Sequence, residues 1–149
     1  MLRILRERGI TNERAFALIE LLVVIVIIGI LAAIAIPALA EHKKKGEDGE
    51  AKSNARNLGA EVELCFAPEE DFRRCDTLAE IGTVGIDWGS GPGQARVTDA
   101  TKTTFTVVAV SEASSDSSNH TFTIERNITG RNTRTCTPAG KGACKDGNW

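Results

Sequence analysis

The sequence lacks several residue types and motifs on which enzymes commonly depend. It has no tyrosine, one methionine and two histidines, and it contains neither a C-x-x-C motif nor a Gly-rich phosphate-binding loop. The histidines, His42 and His120, are isolated, so no metal-ligand cluster is indicated. Positive and negative charges nearly balance, and a net charge of −2 implies no strong overall attraction to nucleic acid or anionic lipid. We therefore expect no enzyme, no catalytic residue, no metal and no cofactor.

One stretch combines Ser, Asp and His but does not change this expectation. Residues Ser114 to His120 include four serines, one aspartate and one histidine. A catalytic triad needs a rigid scaffold to orient its members, and a polar linker does not provide one. We expect residues 111–120 to form an exposed, Ser-rich hairpin loop.

Charge is absent from one long stretch, Leu21 to Ala40. A run of about twenty apolar residues is long enough to cross the hydrocarbon core of a bilayer as a helix. Four arginines precede the run, and the positive-inside rule then favours a cytoplasmic N-terminus. The lysines at positions 43–45 weaken this preference without reversing it. The four arginines are Arg3, Arg6, Arg8 and Arg14. We call residues 16–40 the apolar segment.

The start of the apolar segment carries a family resemblance. Residues 15–24, A-F-A-L-I-E-L-L-V-V, resemble the processing site of type IV prepilins and pseudopilins. In that family a membrane peptidase removes a short basic leader just before a Phe or Met. The new N-terminus is methylated, and a Glu follows four residues later. The resemblance implies a leader at residues 1–15, cleavage between Ala15 and Phe16, and methylation of the Phe16 amine. The residue before the cut is usually Gly in the family and is Ala15 here.

The resemblance also implies that Glu20, Gly29 and Pro37 act in assembly. A carboxylate at the bilayer centre costs about 2.5–3.5 kcal/mol, and less near the interface, so something should offset it. The family role of Glu20 is to neutralise the Phe16 amine of a neighbouring subunit. Gly29 and Pro37 match positions at which the helix loosens and lengthens on entering a fibre. The simpler alternatives are a boundary carboxylate at Glu20 and a passive kink at Pro37.

The function that the resemblance implies is structural. The chain would be a type IV pilus subunit that enters the cell membrane as a prepilin, is cleaved and methylated, and polymerises through its N-terminal helix into a surface fibre. Its partners would be further copies of itself, the prepilin peptidase and the assembly machinery, with DNA or a host surface as open additions. Four alternatives remain: a type II secretion pseudopilin, a DNA-uptake pilin, an uncut single-pass membrane-anchored binding domain, and a soluble protein secreted after the small-x-small triplet at residues 38–40.

Residues 41–149 predict an exported α+β domain. We expect one long N-terminal helix, with the apolar segment as its first half and an amphipathic second half over residues 50–66. Apolar residues at spacings of four and three line one face of the second half: Ala51, Ala55, Leu58, Val62 and Cys65. β-Branched, aromatic and alternating residues then predict a three- or four-stranded antiparallel sheet over about residues 94–137. We expect the apolar face of the sheet to pack on the helix, in a pilin-like architecture. The predicted strands are residues 94–98, 103–110, 121–126 and 132–137.

All four cysteines follow the apolar segment, on the exported side under the favoured topology, where disulfides persist. Four cysteines allow three pairings, and sequence alone does not choose among them. The closeness of each pair along the chain favours Cys65–Cys75 and Cys136–Cys144. The second pair would clip an irregular tail over residues 136–149.

Five basic residues and no acidic ones lie between positions 126 and 145 of a chain that is acidic overall. The simplest interpretation is a solvated face. We rank contact between subunits, in which the basic residues of one copy meet residues 61–76 of the next, above binding to the DNA backbone, with the solvated face close behind. The residues are Arg126, Arg131, Arg134, Lys141 and Lys145.

Overall fold

The computed structural model describes the backbone of residues 4–82 and 85–149 and the side chains of residues 17–82 and 85–149. It begins with a long helix, α1, over Ile4–Glu69. The chain divides into two compact units, Met1–Ala40 and Glu41–Trp149. We call the second unit the body.

The first unit is helical over its described residues, and the apolar side chains described there are uncovered. The large apolar side chains from Leu18 to Leu39 are between 47% and 71% exposed. Among the residues with described side chains, α1 is the one helix that is long and apolar enough to cross a membrane, with a mean hydropathy of 3.2 over its most apolar window. An isolated helix that is apolar on all sides needs lipid or other protein around it.

In the body, α1 is amphipathic, as the spacing predicts. Ala51, Ala55, Leu58 and Val62 are 0–2% exposed and belong to the hydrophobic core. The predicted end of the helix at Phe66 is wrong, because α1 continues through Pro68 to Glu69. Pro68 lies in the last turn, where it costs one backbone hydrogen bond without ending the helix. The helix ends where Glu70 adopts a φ of 53°, with its N–H donating to the Phe66 carbonyl at 2.8 Å.

The connection after α1 is closed by a disulfide and packed by aromatic rings. It contains a 3₁₀ turn at Phe72–Arg74 and a short helix, α2, at Leu78–Ile81. The Phe72 ring stacks on Phe66 at 4.1 Å between centroids and contacts Phe105 at 4.9 Å. Phe72 is 1% exposed, so this connection contributes to the core.

The predicted antiparallel sheet is confirmed and has four strands in the order β1-β2-β3-β4. Its inward residues include Phe105, Val107 and Phe122, which share one core cluster with the buried face of α1. A Cβ placed on Gly59 of α1 would lie 3.8 Å from the Ile124 side chain, which shows how closely helix and sheet approach. The strands are β1 (Ala95–Ala100), β2 (Phe105–Ser115), β3 (Ser118–Arg126) and β4 (Asn132–Thr137).

The exposed hairpin loop predicted for residues 111–120 is wrong. β2 and β3 extend through most of it, and the turn between them is only Asp116 and Ser117, whose φ angles of 52° and 65° are typical of a tight hairpin. Ser111 and His120 are buried. The prediction failed because polar residues of this stretch can be buried when they have hydrogen-bond partners nearby. The Ser111 hydroxyl, for example, accepts the Ala113 N–H at 3.0 Å.

Candidate functional site

The apolar segment is the first candidate site, since nothing in the described chain covers it. Glu20 is exposed near its start. The side chains of Ala15 and Phe16 lie outside the described residues, so cleavage and methylation there stay predictions. A continuous apolar surface of this kind marks contact with a membrane or with other protein.

Gly29 and Pro37 both lie inside the helical part of the segment. A Cβ placed on Gly29 would have no described atom within 4 Å, so no packing within this chain requires a glycine there. The chain is helical on both sides of Pro37. The loosening that the resemblance implies therefore stays a prediction about the assembled state.

A buried polar pair in the body is the second candidate site, and sequence reasoning missed it. His120 on β3 and Asp48 on α1 are both completely buried. The His120 Nδ1 atom lies 2.9 Å from each carboxylate oxygen of Asp48, and its Nε2 atom lies 2.8 Å from the Ser115 hydroxyl. Buried polar groups are costly unless hydrogen-bonded, and both ring nitrogens here have partners.

The same pair holds the loop that the second disulfide closes. The Ala143 N–H donates to Asp48 at 2.8 Å, and the Lys52 ammonium donates to the Ala143 carbonyl at 2.6 Å. Gly142, with a φ of 55°, passes so close that a Cβ there would overlap the Asp48 carboxylate and the His120 ring. The arrangement therefore joins α1, β3 and the tail at one point.

The pair has the hydrogen-bond connectivity of part of a catalytic triad, but its position in the fold indicates a structural role. His120 has no exposed surface, so a substrate cannot reach its ring. One signal in the sequence indicated a buried Asp48, although it did not identify the partner. Asp48 precedes Ala51 and Ala55 at helical spacing, and a charge on an apolar stripe requires a buried partner.

Both disulfides join neighbouring cysteines in the structure. The Cα atoms are 5.9 Å apart in Cys65–Cys75 and 5.6 Å apart in Cys136–Cys144. The tail beyond the second disulfide packs back on the sheet, where the Trp149 ring meets Phe122 edge-on at 5.8 Å. The Trp149 indole N–H donates to the Thr135 carbonyl at 2.8 Å.

The five basic residues predicted as one surface have different environments. Arg126 pairs with Glu63 at 3.0 Å, and Lys141 lies 3.7 Å from Asp116. Arg134 instead places its guanidinium carbon 5.3 Å from the centre of the Trp149 ring. Within residues 17–82 and 85–149, Arg131 and Lys145 are exposed and form no ion pair.

Two further cationic side chains, both from α1, lie near the Trp149 ring. Neither contact was predicted. The guanidinium carbon of Arg56 lies 5.2 Å from the ring centre and the Lys52 ammonium lies 6.0 Å from it. Burial lowers the pKa of Lys52; Asp48 opposes this shift and Arg56 adds to it. Arg56 and Arg134 also line a cleft of about 160 Å³ between α1 and the sheet. It is lined by Arg56, Gly59, Ala60, Glu63, Ile124, Asn132 and Arg134.

A family model and several known proteins are similar to this chain. A family model described as a prokaryotic N-terminal methylation motif matches residues 10–36. Two fimbrial proteins of Pseudomonas aeruginosa are each 35% identical over 112 residues, covering 70% of this chain and 72% of each relative. The type IV major pilin protein PilA of Myxococcus xanthus (strain DK1622) is 44% identical over 71 residues. That match covers 48% of this chain and only 31% of the length of the Myxococcus protein. No solved structure matches the chain significantly.

Proposed function

Because this chain belongs to the type IV pilin family, we propose that it is a structural subunit that polymerises through its N-terminal helix into a surface pilus. The observation that carries the proposal is the uncovered apolar segment, whose large side chains are 47–71% exposed while the body buries its own core. Such a segment is stable in a bilayer before assembly and in a bundle of like helices afterwards. The subunit is not an enzyme, in keeping with relatives that are named for pili and fimbriae.

Processing at Ala15 and Phe16 is part of the proposal. The methylation-motif match spans both residues. Removal of the basic leader creates a positively charged amine on Phe16, four residues before Glu20. In the fibre, Glu20 of one subunit neutralises the amine of a neighbour. That contact offsets the cost of holding a carboxylate among apolar helices.

We propose a pilus rather than a secretion pseudopilus or a DNA-uptake fibre. The relatives are named as a type IV major pilin and as fimbrial proteins. Before assembly, the leader faces the cytoplasm and the body is exported, which places all four cysteines where disulfides persist. The partners in this state are the prepilin peptidase and the assembly machinery.

The basic residues of the C-terminal third are proposed to contact neighbouring subunits. Arg126 and Lys141 already pair within the subunit, so they contribute less than Arg131, Arg134 and Lys145. DNA binding is the weaker alternative, because the Trp149 ring beside Arg134 is already in contact with Phe122 and with cations.

The proposal is tested by expressing the full chain, with a prepilin peptidase, in a bacterium that assembles type IV pili and lacks its own major pilin. Sheared fibres should contain a protein whose intact mass corresponds to a chain starting at Phe16 with one added methyl group. A mass corresponding to a start at Met1 or Glu41 would contradict the proposal.

The role of Glu20 is tested in the same cells with Glu20→Ala. The variant should insert and be cleaved normally but yield few fibres, since removal of the charge eases insertion and leaves the neighbour's amine without a partner. Glu41→Ala removes an exposed carboxylate at the other end of the segment and should assemble normally. Normal fibre yield from Glu20→Ala would show that Glu20 only marks the membrane boundary.

A further inference from the structure

Two guanidinium groups converge on one aromatic ring without a carboxylate to balance them. Arg56 on α1 and Arg134 on β4 place their guanidinium carbons 5.2 and 5.3 Å from the centre of the Trp149 ring. Both side chains are exposed. Neither forms an ion pair in the part of the chain that the structure describes.

The one carboxylate in the adjoining cleft is already engaged. One carboxylate oxygen of Glu63 forms an ion pair with Arg126 at 3.0 Å and also accepts a hydrogen bond from the Asn132 amide at 3.2 Å. The cleft of about 160 Å³ therefore presents two arginines whose charge is not neutralised inside it. A guanidinium is a planar fork of donors that matches the two oxygens of a carboxylate or phosphate.

The environment of Trp149 favours a small oxyanion over a nucleic acid base. The ring is held edge-on against Phe122 and tied to Thr135 through its N–H. Binding of single-stranded nucleic acid commonly uses an open aromatic face on which a base stacks. Here cations already contact that ring, so what the cleft offers a ligand is positive charge and hydrogen-bond donors.

The same chain carries a matching pair of carboxylates elsewhere in its body. The Glu80 carboxylate accepts the N–H groups of Asp76 and Thr77, each at 3.3 Å, which holds it beside Asp76. Partial desolvation and the neighbouring charge of Glu80 raise the pKa of Asp76. No described residue forms an ion pair with either acid.

Two other acids of this region are already paired. Glu69 pairs with Arg74 at 2.8 Å, and Asp71 pairs with Arg73 at 2.6 Å. Asp76 and Glu80 differ from these acids because they are exposed like charges held side by side, an arrangement that an arriving cation stabilises.

We propose that the Arg56–Arg134 cleft of one subunit binds the Asp76 and Glu80 carboxylates of a neighbouring copy in the fibre. The inference rests on the proposed function, since it requires a chain that polymerises. The cleft and the carboxylates share no residue, so the contact is head-to-tail, the kind that builds an open helical fibre when its rotation does not close a ring. It sets the register and specificity of the polymer more than its total affinity.

The experiment reverses each side of the contact and then both together. Arg56→Glu/Arg134→Glu and Asp76→Lys/Glu80→Lys should each lower fibre yield about tenfold or more, because like charges then face each other across the interface. The chain with all four substitutions should recover most of the yield, since every interface is again complementary. Arg96→Glu/Lys102→Glu is the control, with the same charge change at exposed positions, and should assemble normally.

The unfolding midpoint of each full-length variant in detergent separates an assembly defect from a folding defect. The Asp76→Lys/Glu80→Lys chain leaves the cleft untouched, so it tests the contact even if the arginine reversals destabilise the body. Failure of the unaltered chain to form fibres would count against the proposed function. Normal fibres from folded reversals, or no recovery with all four substitutions, would overturn this inference alone. Fibres of the arginine reversals that form normally but lose binding to duplex DNA would overturn it in favour of DNA.

Discussion

Two stretches of α1 use the same kind of side chain for opposite purposes. From Leu18 to Leu39 the large apolar side chains remain 47–71% exposed. From Ala51 to Val62 the apolar stripe is 0–2% exposed against the sheet. The first stretch is apolar on all sides, whereas the second alternates apolar and polar faces.

The difference shows where each stretch obtains its stabilisation. Apolar surface contributes roughly 25 cal/mol per Å² only when it leaves water. The second stretch does so inside its own subunit, and the first requires lipid or other subunits. The body should therefore keep its stability when the apolar segment is altered, and assembly should respond to changes that leave the body folded.

The largest expected effect comes from the same substitution made in each stretch. Leu58→Ala removes a fully buried side chain and should destabilise the body by about 2–5 kcal/mol. Leu22→Ala removes a side chain that is 50% exposed and should leave body stability within about 0.5 kcal/mol. Urea unfolding of the full chain in detergent, followed by the fluorescence of Trp88 and Trp149, measures both. Equal losses would remove the distinction between the two stretches.

The next largest loss of stability is expected at the buried polar pair, Asp48 and His120. Asp48→Ala leaves the His120 ring and the Ala143 N–H without their partner and should cost about 3 kcal/mol. Glu47→Ala is the matched control, since its carboxylate pairs only with Lys43 along the helix and should cost about 0.5 kcal/mol. The double variant Asp48→Ala/His120→Ala should lose less than the sum of its single variants, because the two residues act as one unit. Additive losses would show that they do not.

Each disulfide should contribute slightly less to the free energy of unfolding than the buried polar pair. Replacement of Cys136 and Cys144 by alanine opens a short loop and should cost roughly 2.5 kcal/mol on the chain-entropy model, with a similar loss for Cys65 and Cys75. Peptide mapping without reduction checks the pairing in the secreted protein. A peptide that links Cys65 to Cys136 or Cys144 would contradict it.

The smallest expected effect lies at the exposed Asp71–Arg73 pair. The hydrogen bond from the Arg73 side chain lowers the pKa of Asp71 from 3.8 to about 2. Because the folded-state pKa is depressed, the stabilisation is fully present above about pH 4 and is lost as the pH falls toward about 2. The unfolding midpoint of Asp71→Asn should thus lie slightly below that of the unaltered chain at neutral pH and meet it near pH 2. A difference that persists unchanged at pH 2 would exclude this ion pair as its cause.

Several features of the molecule follow from short stretches of sequence. Three local patterns indicate secondary structure directly. They are the uncharged run from Leu21 to Ala40, the apolar spacing from Ala51 to Val62 and the β-branched residues of β2. These patterns predicted the long helix and the antiparallel sheet. The predicted processing site at Phe16 rests on a short motif of the same kind. Short separations along the chain also favoured the cysteine pairs that the structure joins.

Only the tertiary structure decided which distant polar residues meet. Asp48 and His120 are 72 positions apart, and Arg56 and Arg134 reach the same ring from a helix and an edge strand. Local pattern carries no signal for such pairs, because their distance depends on how helix, sheet and tail pack together. The prediction of an exposed loop from Ser111 to His120 was wrong because tertiary packing, and not local sequence pattern, decides which polar residues are buried. The polar composition of this stretch resembles a loop, but a serine or histidine can lie in a buried strand once the fold supplies a partner for each polar atom.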